Sequence, residues 1–281
     1  MVGNTPVTGR RVPLTAEVDL TLGGRWTSLS GGSREWLWSR ADPARRHVRP
    51  GTDFVDVGGL EECIPTVRGR PDHGDAWSRP WRHDHGGAVV DCPDFVLRRR
   101  IEHVGGAVVA SYRLSANPGY RFLWAGHALL DVSDSARLLA PRGTPTLVYP
   151  EAAAILGDAW TAGATTMTGA WPEPLGLPLS QLGPTDGSAV GAILRCADVR
   201  IIDGADTLRM LLEVDNQPAG TALWRNLGGF PPREPYRSVG VEPMLGTVFD
   251  LAEAAPHEAA TVPASGEVAW RLVVSADRTG S

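Results

Sequence analysis

Short runs in which apolar and polar residues alternate are the main pattern along this chain. Such period-2 alternation predicts β-strands with one buried face. The clearest runs cover residues 15–22, 107–114, 128–132, 189–196, 199–203, 207–214 and 267–275. Asp203-Gly204 supplies a turn signal between two of these runs, so residues 199–214 are predicted to form a β-hairpin. The run 267–275 is predicted to be a strand that closes a sheet.

The rest of the pattern favours an all-β protein. Thirty-three glycines and twenty-three prolines interrupt the chain too often for long helices, and no segment has a sustained helical apolar stripe. Residues 152–156 suggest one helical turn at most. Residues 169–184 carry Trp171 and several prolines, which predicts a long structured loop over a binding face. We therefore expect one sandwich or barrel domain over residues 1–281.

Composition narrows the function classes. The chain has 281 residues, 42% hydrophobic and 21% charged, with a net charge of -5, as in ordinary globular proteins. All 27 basic residues are arginine, which excludes a Schiff-base lysine and a P-loop. The acidic balance argues against a nucleic-acid partner. With no span of about 18 apolar residues, no signal peptide and no Cys-x-x-Cys, we expect a cytoplasmic protein without a membrane partner.

The segment Pro71–Trp81 concentrates groups that could bind a ligand. It is a loop by its proline and glycine content, and it contains His73, Asp75, Trp77 and Arg79. The indole could offer an apolar face to a ligand, while the guanidinium and the carboxylate could bind hydroxyls. The alternative is an irregular loop whose polar groups satisfy its own backbone.

Two residues outside this loop could exchange protons. His127 stands in an apolar strand, where a buried histidine with satisfied nitrogens is the simpler interpretation, although an imidazole is a natural proton donor near neutral pH. Glu242 lies between Val241 and Pro243, an unusual setting for a carboxylate. It is either a buried acid–base group or an edge-strand glutamate in water.

A metal site is a third possibility. His83 and His85 on a strand would point to one face and could bind a metal together with His73 and Asp75. No further ligand stands at a familiar spacing, so we expect no metal.

The order of these motifs resembles the aldose 1-epimerase (galactose mutarotase-like) superfamily. A His-Gly loop comes first, a strand histidine follows, and a glutamate before proline comes late in the chain. An upstream segment, residues 58–65, is similar to the glycine-rich segment of the glucose-6-phosphate 1-epimerase branch. The motifs are Pro71-Asp72-His73-Gly74, Arg79-Pro80-Trp81, Trp124-x-x-His127 and Val241-Glu242-Pro243.

The resemblance implies a large antiparallel β-supersandwich with an open sugar cleft and no cofactor. It implies that His127 is the general acid, that Glu242 is the general base and that His73 helps to hold the sugar. It also implies substrate binding by Arg79 and an aromatic cleft wall at Trp224. Together with Asp75, Trp77 and Trp171, these residues form the expected substrate site.

Three departures from the family pattern concern the substrate. Gly126 and Ala128 flank His127, so the Asn-His-Thr-Tyr pattern is absent, and Val57 replaces the arginine before the Gly-Gly pair. The arginine that the family places ahead of the His-Gly loop has no fixed counterpart here, where Arg68 and Arg70 are both candidates. The sugar, its phosphorylation and the oligomeric state therefore stay open.

The leading hypothesis is an isomerase that interconverts the anomers of a hexose or a related sugar. A non-catalytic or repurposed carbohydrate-binding sandwich is the alternative. A metal-dependent enzyme that uses His83 and His85, and a lyase or tailoring enzyme on the same fold, are further possibilities.

Overall fold

The computed structural model describes residues 9–152 and 164–280, and these residues form an all-β structure. Its helices are short 3₁₀ turns at Pro43–His47, Ala76–Ser78 and Pro174–Gly176. The strands in chain order are β1 (Arg10–Val12), β2 (Thr15–Asp19), β3 (Arg25–Gly31), β4 (Arg34–Glu35), β5 (Leu60–Cys63), β6 (Arg82–Asp84), β7 (Gly87–Asp91), β8 (Phe95–Val104), β9 (Ala107–Ala116), β10 (Arg121–Phe122), β11 (Trp124–Leu130), β12 (Arg137–Leu139), β13 (Pro145–Ala152), β14 (Met167–Ala170), β15 (Ala189–Leu194), β16 (Asp198–Asp203), β17 (Asp206–Val214), β18 (Ala219–Leu227), β19 (Arg237–Leu245), β20 (Ala260–Thr261) and β21 (Glu267–Arg278).

Two large antiparallel sheets contain most of these strands. One has the order β12-β16-β17-β21-β9-β8-β7-β6, with β1 also paired to β21. The other has the order β14-β13-β15-β18-β19-β11-β5-β3-β2, with β4 paired to β3. Over the described ranges these are nine and ten strands, and β10 pairs separately with β20. The predicted antiparallel β-sandwich class is confirmed.

The predicted hairpin is also confirmed, whereas the position of the last strand differs from the prediction. Strands β16 and β17 pair from Asp198↔Leu211 to Asp203↔Asp206, which leaves a tight turn at Gly204. Strand β21 does not close a sheet, because it pairs with β17 on one side and β9 on the other. Alternation identifies a strand with one buried face, but it carries no information about the strand's neighbours.

The ten-stranded sheet has two apolar faces of different size. On β11, Trp124, Ala128 and Leu130 belong to the main core, which also contains Leu97 and Leu272 of the nine-stranded sheet. Ala125, the next residue of β11 after Trp124, belongs to a smaller cluster with Cys63, Ile193, Ala222 and Met244. Because successive strand residues point to opposite faces, this smaller cluster lies on the outer face of the sheet.

A buried ion pair joins the two sheets through the main core. Glu62 of β5 is fully buried, and its Oε1 lies 2.5 Å from Nη1 of Arg99 on β8. Tyr112 Oη on β9 also donates to Oε1 at 3.0 Å, and Trp124 Nε1 on β11 donates to Oε2 at 2.7 Å. These donors compensate a carboxylate that would otherwise be costly to bury.

The remaining predictions concern segments outside the large sheets. Residues 153–156 of the suggested helical turn lie outside the described residues. Residues 169–184 are structured, but Trp171, Leu177, Leu179 and Leu182 are buried in the main core. Over the residues that the structure describes, no helix is long and apolar enough to cross a membrane.

The Arg99→Met variant tests the buried ion pair. We expect the free energy of unfolding to fall by about 3–5 kcal/mol, because Glu62 would stay buried without its cation. Glu213→Gln is the control, since Glu213 forms a half-exposed pair with Arg271 at 3.4 Å; it should cost less than about 1 kcal/mol. Urea unfolding measures both, and equal losses in the two variants would contradict this role for Arg99.

Candidate active site

A cleft of about 580 Å³ opens on the outer face of the ten-stranded sheet. Its polar and aromatic lining comes from strands of this sheet and from the segments before and after β5 and before and after β19. The main lining residues are Arg40, Asp42, Phe54, Asp56, Arg68, Asp72, His73, His127, Glu151, Trp224, Phe230, Tyr236, Glu242 and Phe249.

A wider hollow of about 730 Å³ lies on the outer face of the nine-stranded sheet. Two ion pairs lie within its lining, Arg98 with Asp84 and Arg271 with Glu213. These pairs are largely open to solvent, where an ion pair contributes little free energy. The smaller cleft, by contrast, combines buried titratable groups with aromatic walls, which are the usual features of a site that carries chemistry.

Cross-strand register places His127 beside Glu242. Strands β11 and β19 pair at Ala125↔Met244 and Leu129↔Gly240, so residues 127 and 242 lie opposite each other between these pairs. His127 Nδ1 is 2.8 Å from Glu242 Oε1, and the two side chains are 9% and 3% exposed. The contact is an ion pair by distance, without the alignment of a hydrogen bond. Glu242 Oε2 has no hydrogen-bond partner among the described residues.

Gly240 makes room for the Glu242 carboxylate. A Cβ at position 240 would come within 2.6 Å of Glu242 Oε1 and 3.1 Å of the Trp224 Cβ. The side chain of residue 240 would point to the same face as Glu242, because the two positions are two residues apart on one strand. The absence of a side chain there therefore leaves space for the acid–base pair.

The two cleft histidines have opposite electrostatic settings. Burial acts to lower the pKa of His127, but the Glu242 carboxylate outweighs it, and with Asp56 and Glu61 raises that pKa to about 9. Burial lowers the pKa of His73, against the effect of Asp72. The ring centroids are 5.2 Å apart, so a cationic and a neutral imidazole lie side by side near neutral pH.

Local backbone geometry brings His73 to the cleft. His73 has φ 57°, and its Nδ1 lies 2.9 Å from Asp72 Oδ1. Gly74 follows at φ 78°, and a Cβ there would be 2.0 Å from the carbonyl oxygen of Ile64. The His-Gly order thus reflects a tight approach to β5 that only glycine permits. The His73 ring stacks on Phe54 with centroids 3.7 Å apart.

Glu61 is a buried acid that the sequence analysis did not single out. It pairs in register with His127 from β5, on the side opposite Glu242. Arg45 Nη2 is 2.8 Å from its Oε1, and Arg25 Nε is 3.9 Å away. Burial raises the pKa of Glu61 to about 7, and the two arginines act against that rise. The available signal is alternation, since Glu61 and Cys63 lie on the outer face of the sheet while Leu60 and Glu62 face the core.

Several wall residues were also missed because they lie in irregular segments. Phe54 and Asp56 precede β5, and Tyr236 precedes β19. Tyr236 donates a short hydrogen bond to Asp56 and stacks on Trp38. Of the two arginines weighed ahead of the His-Gly loop, Arg68 lines the cleft.

The expected substrate residues are not all brought together. Trp224 lines the cleft and meets Phe230 edge to face. Trp77 is fully buried behind Phe54, and Trp171 is buried in the main core, so neither indole presents a face to the cleft. Asp75 and Arg79 pair with each other at 3.4 Å and are not part of the cleft lining. Ligand binding by these four residues stays a prediction.

The two histidines weighed as metal ligands lie in an exposed hairpin at the end of the nine-stranded sheet. His85 is 99% exposed, and His83 is also exposed. Within residues 9–152 and 164–280, no group of three or more histidine, cysteine or acidic side chains could hold a metal ion.

Comparison with known proteins shows similarity at the level of the fold. No family model and no curated protein matches the sequence. Slr1438 from Synechocystis sp. PCC 6803 superposes with a TM-score of 0.66 at 13% identity, over 99% of both chains. A candidate aldose 1-epimerase from Escherichia coli K12 also gives 0.66 at 13% identity, over 96% of this chain and 99% of that one.

A third match is YeaD from Salmonella typhimurium, a candidate mutarotase. It superposes with a TM-score of 0.58 at 16% identity, over 95% of this chain and 88% of that one. At such identities the similarity establishes architecture and not activity. The chain therefore has a galactose mutarotase-like β-sandwich fold.

Proposed function

We propose that this protein is an aldose 1-epimerase, which interconverts the α and β anomers of a hexose or a related sugar. The observation that carries the proposal is the contact between His127 and Glu242 at the floor of the cleft. A carboxylate and an imidazolium, both buried and adjacent, supply the base and the acid that ring opening requires. The similarity of the fold to candidate mutarotases supports the same class.

The chemistry follows from the proton demand of a hemiacetal. Glu242 Oε2, which has no protein partner among the described residues, takes the proton from the anomeric hydroxyl. His127 gives a proton to the ring oxygen, so the C1–O5 bond breaks and an open-chain aldehyde forms. The carbonyl turns about the C1–C2 bond and the reverse transfers close the ring on its other face. No net proton is gained or lost.

The neighbouring groups have supporting roles in this proposal. The raised pKa of His127 keeps it protonated near neutral pH, ready to act as the acid. His73, whose pKa is lowered, offers a neutral imidazole for a sugar hydroxyl. Trp224 forms an apolar wall for the C–H face of the pyranose ring.

We also propose a reducing compartment, the cytoplasm, because Cys63, Cys92 and Cys196 are all free thiols. We further propose that residues 1–281 act as one domain, because the acid–base pair joins β11 to β19, far apart in the chain.

The alternative to an epimerase is a protein that binds sugar without catalysis. The following experiment distinguishes the two functions.

The Glu242→Gln variant should lose catalysis and still bind sugar. We expect the catalysed rate to fall by about 10²–10⁴-fold, because the amide cannot accept the anomeric proton. The measurement is two-dimensional exchange NMR between anomers of glucose and galactose, corrected for the spontaneous rate. Glu102→Gln, the same change at a surface residue paired with Arg100, is the control. A wild-type protein that binds these sugars without accelerating exchange would support the binding-protein alternative.

The protonation of His127 can be measured directly. We expect the ring to titrate near pH 9 and, in Glu242→Gln, at lower pH, because the carboxylate that stabilises the cation is gone. The pKa of His127 in the folded state lies above its usual value near 6.5. The ion pair with Glu242 therefore stabilises the fold fully below pH 6.5, and this stabilisation is lost as the pH rises through 9. Imidazole NMR of ¹⁵N-histidine protein, assigned with His127→Gln, reports the titration. A wild-type value at or below 6.5 would contradict the arrangement.

A further inference from the structure

The charges that line the cleft are predominantly acidic. The residues that line it include five carboxylic acids and three basic residues that carry or accept a positive charge. The carboxylates belong to Asp42, Asp56, Asp72, Glu151 and Glu242, and the cations to Arg40, Arg68 and His127. The imbalance leaves a net negative field inside a concave surface, where field lines concentrate.

Each cation of the lining already has a carboxylate partner. Arg40 Nη2 is 3.2 Å from Asp42 Oδ2, and His127 pairs with Glu242. Arg68 Nη2 forms a short ion pair with Glu151 Oε1. An incoming anion would therefore compete with an existing partner at every cation.

The two carboxylates that remain have only neutral donors or a histidine. Asp56 accepts from the Tyr236 hydroxyl and from the backbone N–H of Gly58. Asp72 accepts from the backbone N–H of Phe54 and contacts the ring of His73, whose pKa is lowered. Both therefore retain negative charge that would repel an anionic substrate.

Arg68 is the cation best placed to meet the polar end of a ligand. Its guanidinium lies over the rings of Phe249 and Tyr149, which hold it against the cleft wall. The Arg68 side chain is 36% exposed and that of Glu151 is 23% exposed, so a bound ligand could reach both. Without a partner, Arg68 would attract an anion. Paired with Glu151, the two side chains together carry no net charge.

The undescribed segments 1–8 and 153–163 contain no basic side chain. Their only charged side chain is Asp158.

From these observations we infer that Glu151 is a specificity-determining residue, which neutralises Arg68 and so restricts the cleft to uncharged sugars against sugar phosphates. The inference rests on the proposed function where the test measures turnover. Selection between neutral and charged sugars by Glu151 would also appear in binding alone. A negative charge in the cleft repels a negatively charged phosphate and does not repel a neutral sugar. Repulsion of the wrong ligand is one way in which a binding site discriminates.

The test compares a neutral sugar with its phosphate. Anomer exchange is measured by NMR for glucose and for glucose 6-phosphate with wild type, Glu151→Gln and the surface control Glu102→Gln. We expect wild type to prefer glucose in kcat/KM. Glu151→Gln should shift the ratio toward the phosphate by about tenfold or more, because it removes one negative charge and frees Arg68. The control should leave the ratio unchanged.

A second measurement needs no variant. Raising the ionic strength from about 0.01 M to about 0.5 M shortens the screening length severalfold. The kcat/KM of wild type for glucose 6-phosphate should rise with salt, because repulsion is screened, while that for glucose should stay constant. A preference for the phosphate, or a ratio that Glu151→Gln leaves unchanged, would overturn the inference and leave the proposed function standing.

Failure of the proposed function has a different signature. If no sugar is turned over, the two ligands are titrated into wild type and Glu151→Gln and followed by protein NMR. Binding of glucose over its phosphate in wild type, with a shift toward the phosphate in the variant, still supports charge selection by Glu151. Any other order of binding overturns it.

Discussion

The register between neighbouring strands is the constraint on which the candidate site depends. His127 lies between Glu61 of β5 and Glu242 of β19 because β11 pairs with both strands. A shift of one residue in either pairing would turn the whole side-chain set of a strand to the opposite face. Register is held by the apolar residues of the same strands, whose main-core face leaves no freedom to slip. The chemistry of the cleft is thus fixed by packing on the side away from it.

The same alternation gives two adjacent glutamates opposite roles. Glu62 points into the main core, where Arg99, Tyr112 and Trp124 compensate its charge and connect the two sheets. Glu61 lies on the outer face of the sheet beside His127 and pairs with Arg45. One strand of four residues therefore contributes both to the stability of the sandwich and to the electrostatics of the cleft. The buried ion pair behind the cleft also gives a rigid support to the strand that carries Glu61.

The sequence predicts the fold class and the central residues of the cleft better than its walls. Alternation identifies β9, β15, β16 and β17, and the order of the motifs points to His73, His127 and Glu242. Long-range pairing is not readable from alternation, which is why β21 was expected to close a sheet and instead lies inside one.

The walls are harder to predict for a different physical reason. Phe54, Asp56 and Tyr236 stand in irregular segments, where no periodicity tells which way a side chain points. Tryptophans are difficult to assign for another reason. A large aromatic ring can pack in a core or contact the face of a sugar, so the residue type alone does not distinguish the two. Trp77 and Trp171 are buried, whereas Trp224 lines the cleft.

Gly240 shows that part of the cleft's shape comes from a position without a functional group. Even a methyl group there would meet Glu242 Oε1 and the base of Trp224. A library that varied only the charged and aromatic lining would leave this position untouched, although it limits which conformers the carboxylate can adopt. Redesign of the cleft for a bulkier ligand would therefore have to treat the hydrogen atoms of Gly240 as part of the lining.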